Sequence, residues 1–260
     1  MFDTHCHLNI KPLYKNHLDV IKNARENGVS FFLIPGMNIK DSKVALNIAN
    51  DFENVYASIG IHPTEDLEKI NINKIEEVFN ELIENNENIV AIGETGLDFY
   101  KYLSPINLQV QVLRFHIKLA SKHGLGLILH NRMATNYIIK ELEKGWSPSF
   151  SGKIVFHCCP PEKELLTFAK EKEIFIGVDG DITYDKEKED FIKEVPLELL
   201  VLETDSPNLT PLRIRNENKF PNKPENLKYV AKHISKIKDI NEKKLIKITT
   251  RNSKRLFDIM

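Results

Sequence analysis

Residues 88–130 read NIVAIGETGLDFYKYLSPINLQVQVLRFHIKLASKHGLGLILH. The segment opens on one apolar run, NIVAIGE at 88–94, and closes on another, LGLILH at 125–130. Between them, NLQVQVLRFHIKLASKHG spaces its apolar residues three and four apart and stops at a glycine, the pattern of an amphipathic helix and its C-terminal cap. Near-continuous apolar strands are those buried on both faces, and a helix between two of them demands parallel pairing.

The same alternation extends in both directions. Further runs are MFDTHC at 1–6, VSFFLI at 29–34, NVYASIG at 54–60, GKIVFH at 152–157, EIFIGV at 173–178 and LLVLE at 199–203, which brings the total to eight. NHLDVIKNARENG and NKIEEVFNELIENN supply helical spacing between them. Eight such units in about 250 residues predict a (β/α)8 TIM barrel, and no linker interrupts residues 1–260, so one domain is expected. An open doubly wound sheet would want a glycine-rich phosphate turn after its first strand. HLNIKPLY stands there instead, and the chain holds no GxGxxG and no Walker loop.

Barrel active sites form at the carboxyl ends of the strands, so the residues that finish each run carry the chemistry. The first run ends in His5 and His7, the fourth in Glu94, the fifth in His130 and the sixth in His157, while the eighth runs through Glu203 to Asp205. On a strand, His5 and His7 project to one face and Cys6 to the other. A single terminal histidine is readily a hydrogen-bonded core residue; four of them with carboxylates at matching ends point to metal. That set exceeds what one tetrahedral ion needs and suits two divalent cations about 3.5 to 4 Å apart. Glu94 is the expected bridge, with His5 and His7 on one ion, His130 and His157 on the other, and Asp205 completing the shell. Asp205 is also placed to take a proton from the attacking water, and Glu203, sharing its face, to orient that nucleophile. Imidazoles suit zinc or manganese and carboxylates admit magnesium, so Mg, Mn and Zn all remain open.

Composition narrows the partners. A formal net charge of -1 gives no general attraction to nucleic acid, so any polyanion must be held locally. Arg213, Arg215, Lys219 and Lys223, after the eighth run, are candidates for a basic rim. Cys6, Cys158 and Cys159 offer neither a CxxC pair nor a disulfide framework and read as small buried residues of a reducing compartment. With no signal peptide and no apolar run of about 18 residues, a cytoplasmic monomer without membrane contact is expected.

DTHCHL, GIHP, GETGLDFY, HNRMA, FHC, ETDSPNLTP, PENLKYVA and a closing NSKRLF, in that order along the whole chain, resemble the TatD family of metal-dependent hydrolases. The resemblance implies a TIM barrel, a divalent-metal site and deoxyribonuclease or 3'-5' exonuclease action on DNA, with RNA cleaved by some members. It carries the family's metal ligands onto His5, His7, Glu94, His130, His157 and Asp205. It places His62 of GIHP near the substrate phosphate and makes Arg132 of HNRMA similar to the family's site arginine. Two departures stand out: HCCPPEKELL replaces an aromatic and a Ser-Gly pair after the sixth strand, and Asn9 stands where an aspartate is common. Pro160 and Pro161 are expected to stiffen that loop and alter the substrate pocket. The leading expectation is a nuclease that works by two-metal-activated water on single-stranded ends; the alternative is hydrolysis of an aminoacyl ester or small amide at the same mouth.

Overall fold

The computed structural model describes residues 1–101 and 103–260. Eight strands form one parallel sheet: β1 (Phe2–Asp3), β2 (Phe31–Ile34), β3 (Val55–Ile59), β4 (Ile89–Asp98), β5 (Gly126–Arg132), β6 (Ile154–Phe156), β7 (Phe175–Val178) and β8 (Leu200–Leu202), each hydrogen-bonded to the next in sequence. Helices α1 (His17–Glu26), α2 (Ile39–Asp51), α3 (Ile72–Glu84), α4 (Ile106–His123), α5 (Thr135–Gly145), α6 (Lys163–Lys172) and α7 (Lys186–Glu194) alternate with the strands, and α8 (Leu212–Asn216), α9 (Leu227–Ile237) and α10 (Glu242–Leu256) follow the last. The first and last strands meet through Thr4 N–H to Leu202 O at 3.1 Å, Asp205 N–H to His5 O at 2.9 Å, His7 N–H to Ser206 O at 2.8 Å and a parallel bridge between Cys6 and Ser206. The barrel expected from the eight runs is therefore present. Its helix stops are also where the sequence put them: Gly124 caps α4 at φ 65°, donating its N–H to Ala120 O.

Strand periodicity divides the core. Phe2, Leu33, Val90, Ile128, Val155 and Val201 fill the inside of the barrel, closed by Leu256 and Phe257 from the end of α10. Their neighbours, among them Phe32, Ile34, Leu127, Ile154 and Leu200, pack outward against the helices. At about 1.5 to 3 kcal/mol for each fully buried large side chain, both layers are major terms in stability. The inner layer also aims the chemistry. Two residues beyond Ile128, Val155 and Val201, on the same face, stand His130, His157 and Glu203.

Two strand ends differ from the expected runs. β1 is only two residues long: beyond Asp3 the chain is held irregularly, by bonds across the seam to the β8 side and by Cys6 N–H to Leu33 O of β2 at 3.1 Å, so His5 and His7 lie beyond the strand. β4 continues past Glu94 to Asp98, its register against β5 shifting between Ile92 and Thr95 before Gly96 pairs with His130 and Asp98 with Arg132. Glu94 thus sits inside an irregular strand, and Asp98 finishes it.

Cys6 and Cys159 are buried and Cys158 half-buried, all three as free thiols. His116 is a fully buried histidine away from the barrel mouth, its Nδ1 donating to Val112 O at 2.7 Å and its Nε2 accepting from Ile61 N–H at 3.1 Å. Burial pushes its imidazole down to about 4. Since an unfolded histidine protonates near 6.5, the unfolded chain binds more protons between these values; this contribution is whole above pH 6.5 and is lost as pH falls toward 4. Between pH 7.5 and pH 5 the cost is about 2 kcal/mol. His116→Gln, whose amide can make both bonds, is expected to lose about that much less stability over the same range in urea unfolding of metal-free protein; parallel pH curves for the two proteins would exclude the assignment.

Candidate metal centre

Five imidazoles and four carboxylates converge at the carboxyl ends of the strands, on the floor of a cavity of about 650 Å³. Glu94 lies at its centre, 2% exposed. Its Oε2 is 3.4 Å from His5 Nε2 and 3.9 Å from His7 Nε2. Its Oε1 is 3.0 Å from His130 Nδ1, 3.2 Å from His62 Nε2 and 3.8 Å from His157 Nε2. One carboxylate therefore presents a separate oxygen to each of two imidazole groups. Asp205, reached through the turn after β8, places Oδ1 at 3.4 Å from His7 Nε2 and 3.9 Å from His5 Nε2.

These spacings fit a cation. Donors around a tetrahedral ion with ~2.0–2.1 Å metal–ligand bonds are separated by ~3.3–3.4 Å, and the Nε2 atoms of His5 and His7, 3.2 Å apart, join Glu94 and Asp205 at that scale. Two neutral imidazole nitrogens facing each other need a proton or a cation to relieve their lone pairs. The electrostatics agree. Burial disfavours charge on His157, yet the carboxylates of Glu203, Glu94 and Asp205 outweigh it and lift the imidazole to about 10. Burial likewise pushes Glu94 up, and His62, His5, His130 and His157 overcome it, holding the carboxylate well below its ordinary range. His5 is pushed down to about 4, by burial first and then by His157. The carboxylates around the centre, Glu94, Asp98, Glu203 and Asp205, are all held below their ordinary range and stay ionised.

Two further carboxylates hold the rings of His157 and His130. Glu203 Oε1 accepts from His157 Nδ1 at 3.0 Å and from Cys158 N–H at 2.6 Å, so that oxygen faces the His157 ring. Gly177 on β7 makes room for it: a Cβ there would stand 2.5 Å from Glu203 Oε2. Asp98 Oδ2 lies 3.1 Å from His130 Nε2, which brackets that ring between two carboxylates. Gly96, at φ 150°, lets β4 pass the His130 carbonyl, into which a Cβ would run. Carboxylate–histidine pairs of this kind fix the ligand's ring orientation. Asp98 escaped the sequence reading, although GETGLDFY contains it.

His62, expected near the phosphate, is brought into the ring of groups around Glu94, its Nδ1 2.6 Å from Thr64 Oγ1. Arg132 lines the mouth with its guanidinium 4.0 Å over the Tyr100 ring. The four candidate rim residues after β8 are engaged beside the mouth and do not line its cavity. Arg213 and Lys219 pair with Glu217, Arg213 and Arg215 stack on Tyr229 and Tyr184, and Lys223 lines another groove, so among the described residues the cations lining the mouth are Lys101, Arg132 and Lys188. Lys188 is buried with its Nζ 2.7 Å from Asp181 Oδ2, 3.9 Å from Asp179 Oδ2 and 3.8 Å from Cys158 Sγ, already filling the cation position of that trio. Pro160 and Pro161 do line the cavity. Asn9 instead ties the first loop to the second, donating to Pro35 O at 2.9 Å.

A cleft of about 490 Å³ between α4 and α5 lies on the helical flank; its one acid, Glu141, is already held by Arg114 and Lys144. Among the described residues no helix is long and apolar enough to cross a membrane.

Comparison with known proteins agrees with this arrangement. A family model described as TatD related DNase matches residues 2–258. The chain is 31% identical to an uncharacterized metal-dependent hydrolase, YabD, of Bacillus subtilis, over 100% of this chain and 99% of that protein. It superposes on the crystal structure of YjjV, a TatD homologue from Escherichia coli, with a TM-score of 0.91 at 26% identity, covering 100% of this chain and 98% of the other. A TatD family hydrolase from Entamoeba histolytica shares the fold at a TM-score of 0.85 and 23% identity, over 99% of this chain and 97% of that one.

Proposed function

The chain belongs to the TatD family of metal-dependent hydrolases, and from that premise we propose that it is a two-metal phosphodiesterase, a deoxyribonuclease that removes nucleotides from the 3' end of single-stranded DNA and accepts RNA. The observation that carries the reading is Glu94, whose two oxygens address two separate groups of imidazoles. His5 and His7 would hold one cation and His130 and His157 the other, with Glu94 available to both groups and Asp205 beside the first. Divalent cations at these positions supply the Lewis acidity that activates water and offsets charge on the phosphate.

The remaining steps fall to side chains. Asp205, 9% exposed, is reachable from the cavity and takes the proton of the attacking water. Glu203 and Asp98 hold the rings of His157 and His130 in place. His62 and Arg132 both line the mouth and contact the phosphate oxygens, the guanidinium through its planar fork of donors. Among the described residues the mouth is lined by three cations, Lys101, Arg132 and Lys188, with no long basic groove, which favours a threaded terminus over an internal duplex segment.

The test is digestion of 5'-labelled single strands beside a closed circular strand of similar composition, with magnesium, manganese or zinc in turn. A ladder shortening one nucleotide at a time, with the circle spared, is expected. Rapid cutting of the circle would replace the exonuclease reading with an endonuclease, and hydrolysis of aminoacyl esters but of no diester would overturn the phosphodiesterase assignment.

A further inference from the structure

Beside the mouth lies a smaller cleft of about 420 Å³, lined by Phe99, Met133, Thr135, Asn136, Tyr137 and Glu162. Met133 and Glu162 line both cavities, so the two share a wall. The Tyr137 ring meets Phe99 edge to face, centroids 5.1 Å apart at 81°, and stays 50% exposed. Met133 is 70% exposed and sits at φ 57°, a conformation that a methionine adopts only where its surroundings impose it. Large apolar side chains exposed singly need no account, but these two stand together at the edge of a catalytic mouth. Next to them in sequence, Arg132 reaches into that mouth with its guanidinium laid on Tyr100, itself 64% exposed.

We infer that this cleft is a nucleobase subsite, which takes the base next to the scissile phosphate. The inference rests on the phosphodiesterase reading above. The base stacks on Tyr137 with the Met133 thioether at its edge, while Arg132 engages the phosphate that joins the cleft to the metal centre. Every nucleobase has a π face, so such a platform binds without reading sequence. Thr135 Oγ1 accepts from Asn131 Nδ2 at 2.6 Å, and the Asn136 amide and the Glu162 carboxylate line the same cleft as polar groups for a base edge.

A dinucleotide carries a single diester, so its cleavage is independent of exonuclease or endonuclease mode. The substrates are pTpT and its two analogues in which one nucleoside or the other lacks its base, tested on wild type, Tyr137→Ala and Tyr137→Phe reconstituted with manganese. Wild type is expected to lose about tenfold in kcat/KM, about 1.4 kcal/mol, when one particular base is missing. Tyr137→Ala should lose a similar factor on pTpT and little more on that analogue, while Tyr137→Phe behaves as wild type. Losses that multiply, as a merely structural role for Tyr137 would give, or no loss from Tyr137→Ala, would overturn the subsite. Failure of wild type to cleave pTpT with any of manganese, magnesium or zinc would overturn the phosphodiesterase reading itself.

Discussion

Glu94→Gln is expected to fold, to bind at most one cation, and to lose about a thousandfold or more in kcat/KM, close to 4 kcal/mol of transition-state stabilisation. The substitution keeps the volume of a side chain that is only 2% exposed, so the barrel has no cavity to answer for. What changes is one oxygen. An amide nitrogen turned toward His5 and His7 or toward His62 and His130 brings a donor where a cation needs an acceptor, and the remaining oxygen cannot serve both groups. Wild type reconstituted with manganese or zinc should approach two ions per chain in elemental analysis, because six donor side chains are more than one ion requires. A wild-type value held firmly at one, or a variant that keeps two ions and turns over within tenfold, would exclude the bridging role.

The barrel was legible because its strands are buried on both faces and so carry uninterrupted apolar runs that need no tertiary information to recognise. The convergence of the candidate ligands was legible for a related reason: His130 and His157 follow Ile128 and Val155 by one strand period, and an apolar pattern broken at the same end of several strands locates a mouth. What escaped notice depends on contacts that no single segment contains. Asp98 lies beyond the apolar run of β4, in a stretch that continues as strand only because β5 pairs with it through Gly96, Leu97 and Asp98. The face of Glu203 could be read from alternation, but its target could not, since His157 Nδ1 and Cys158 N–H come from the segment after β6, two strands away. Lys188 sits in DKEKEDFIKE, a run whose charges suit a solvated helix face, yet α7 turns it inward to the carboxylate of Asp181. The basic residues after β8 likewise find partners that the sequence does not reveal: Glu217 pairs with Arg213 and Lys219, and Tyr229 and Tyr184 lie under Arg213 and Arg215.

Asp205→Asn is the sharper test of chemistry, because the backbone at this position tolerates asparagine. Asp205 adopts φ 48°, held by its own N–H to His5 O at 2.9 Å and by Asn208 N–H to its carbonyl at 2.8 Å. Asparagine is among the few residues that enter the left-handed region readily, whereas alanine there would add backbone strain to the loss of the carboxylate and confound the result. Burial raises the Asp205 carboxyl, but His7, His157 and His5 outweigh it and hold it below its ordinary range, so the group is ionised at neutral pH and able to accept a proton. The amide can neither accept that proton nor balance a cation's charge. The expected result is a melting temperature within about 3 °C of wild type for the metal-free proteins, a shift worth less than about 1.5 kcal/mol, together with a fall in kcat/KM of about 10²- to 10⁴-fold, the range for a positioned general base. The rate that remains should also lose the acidic limb of its pH profile that Asp205 contributes. A fall of less than tenfold, under about 1.4 kcal/mol, would move the proton-accepting role to another of the carboxylates that line the cavity, Asp98 among them.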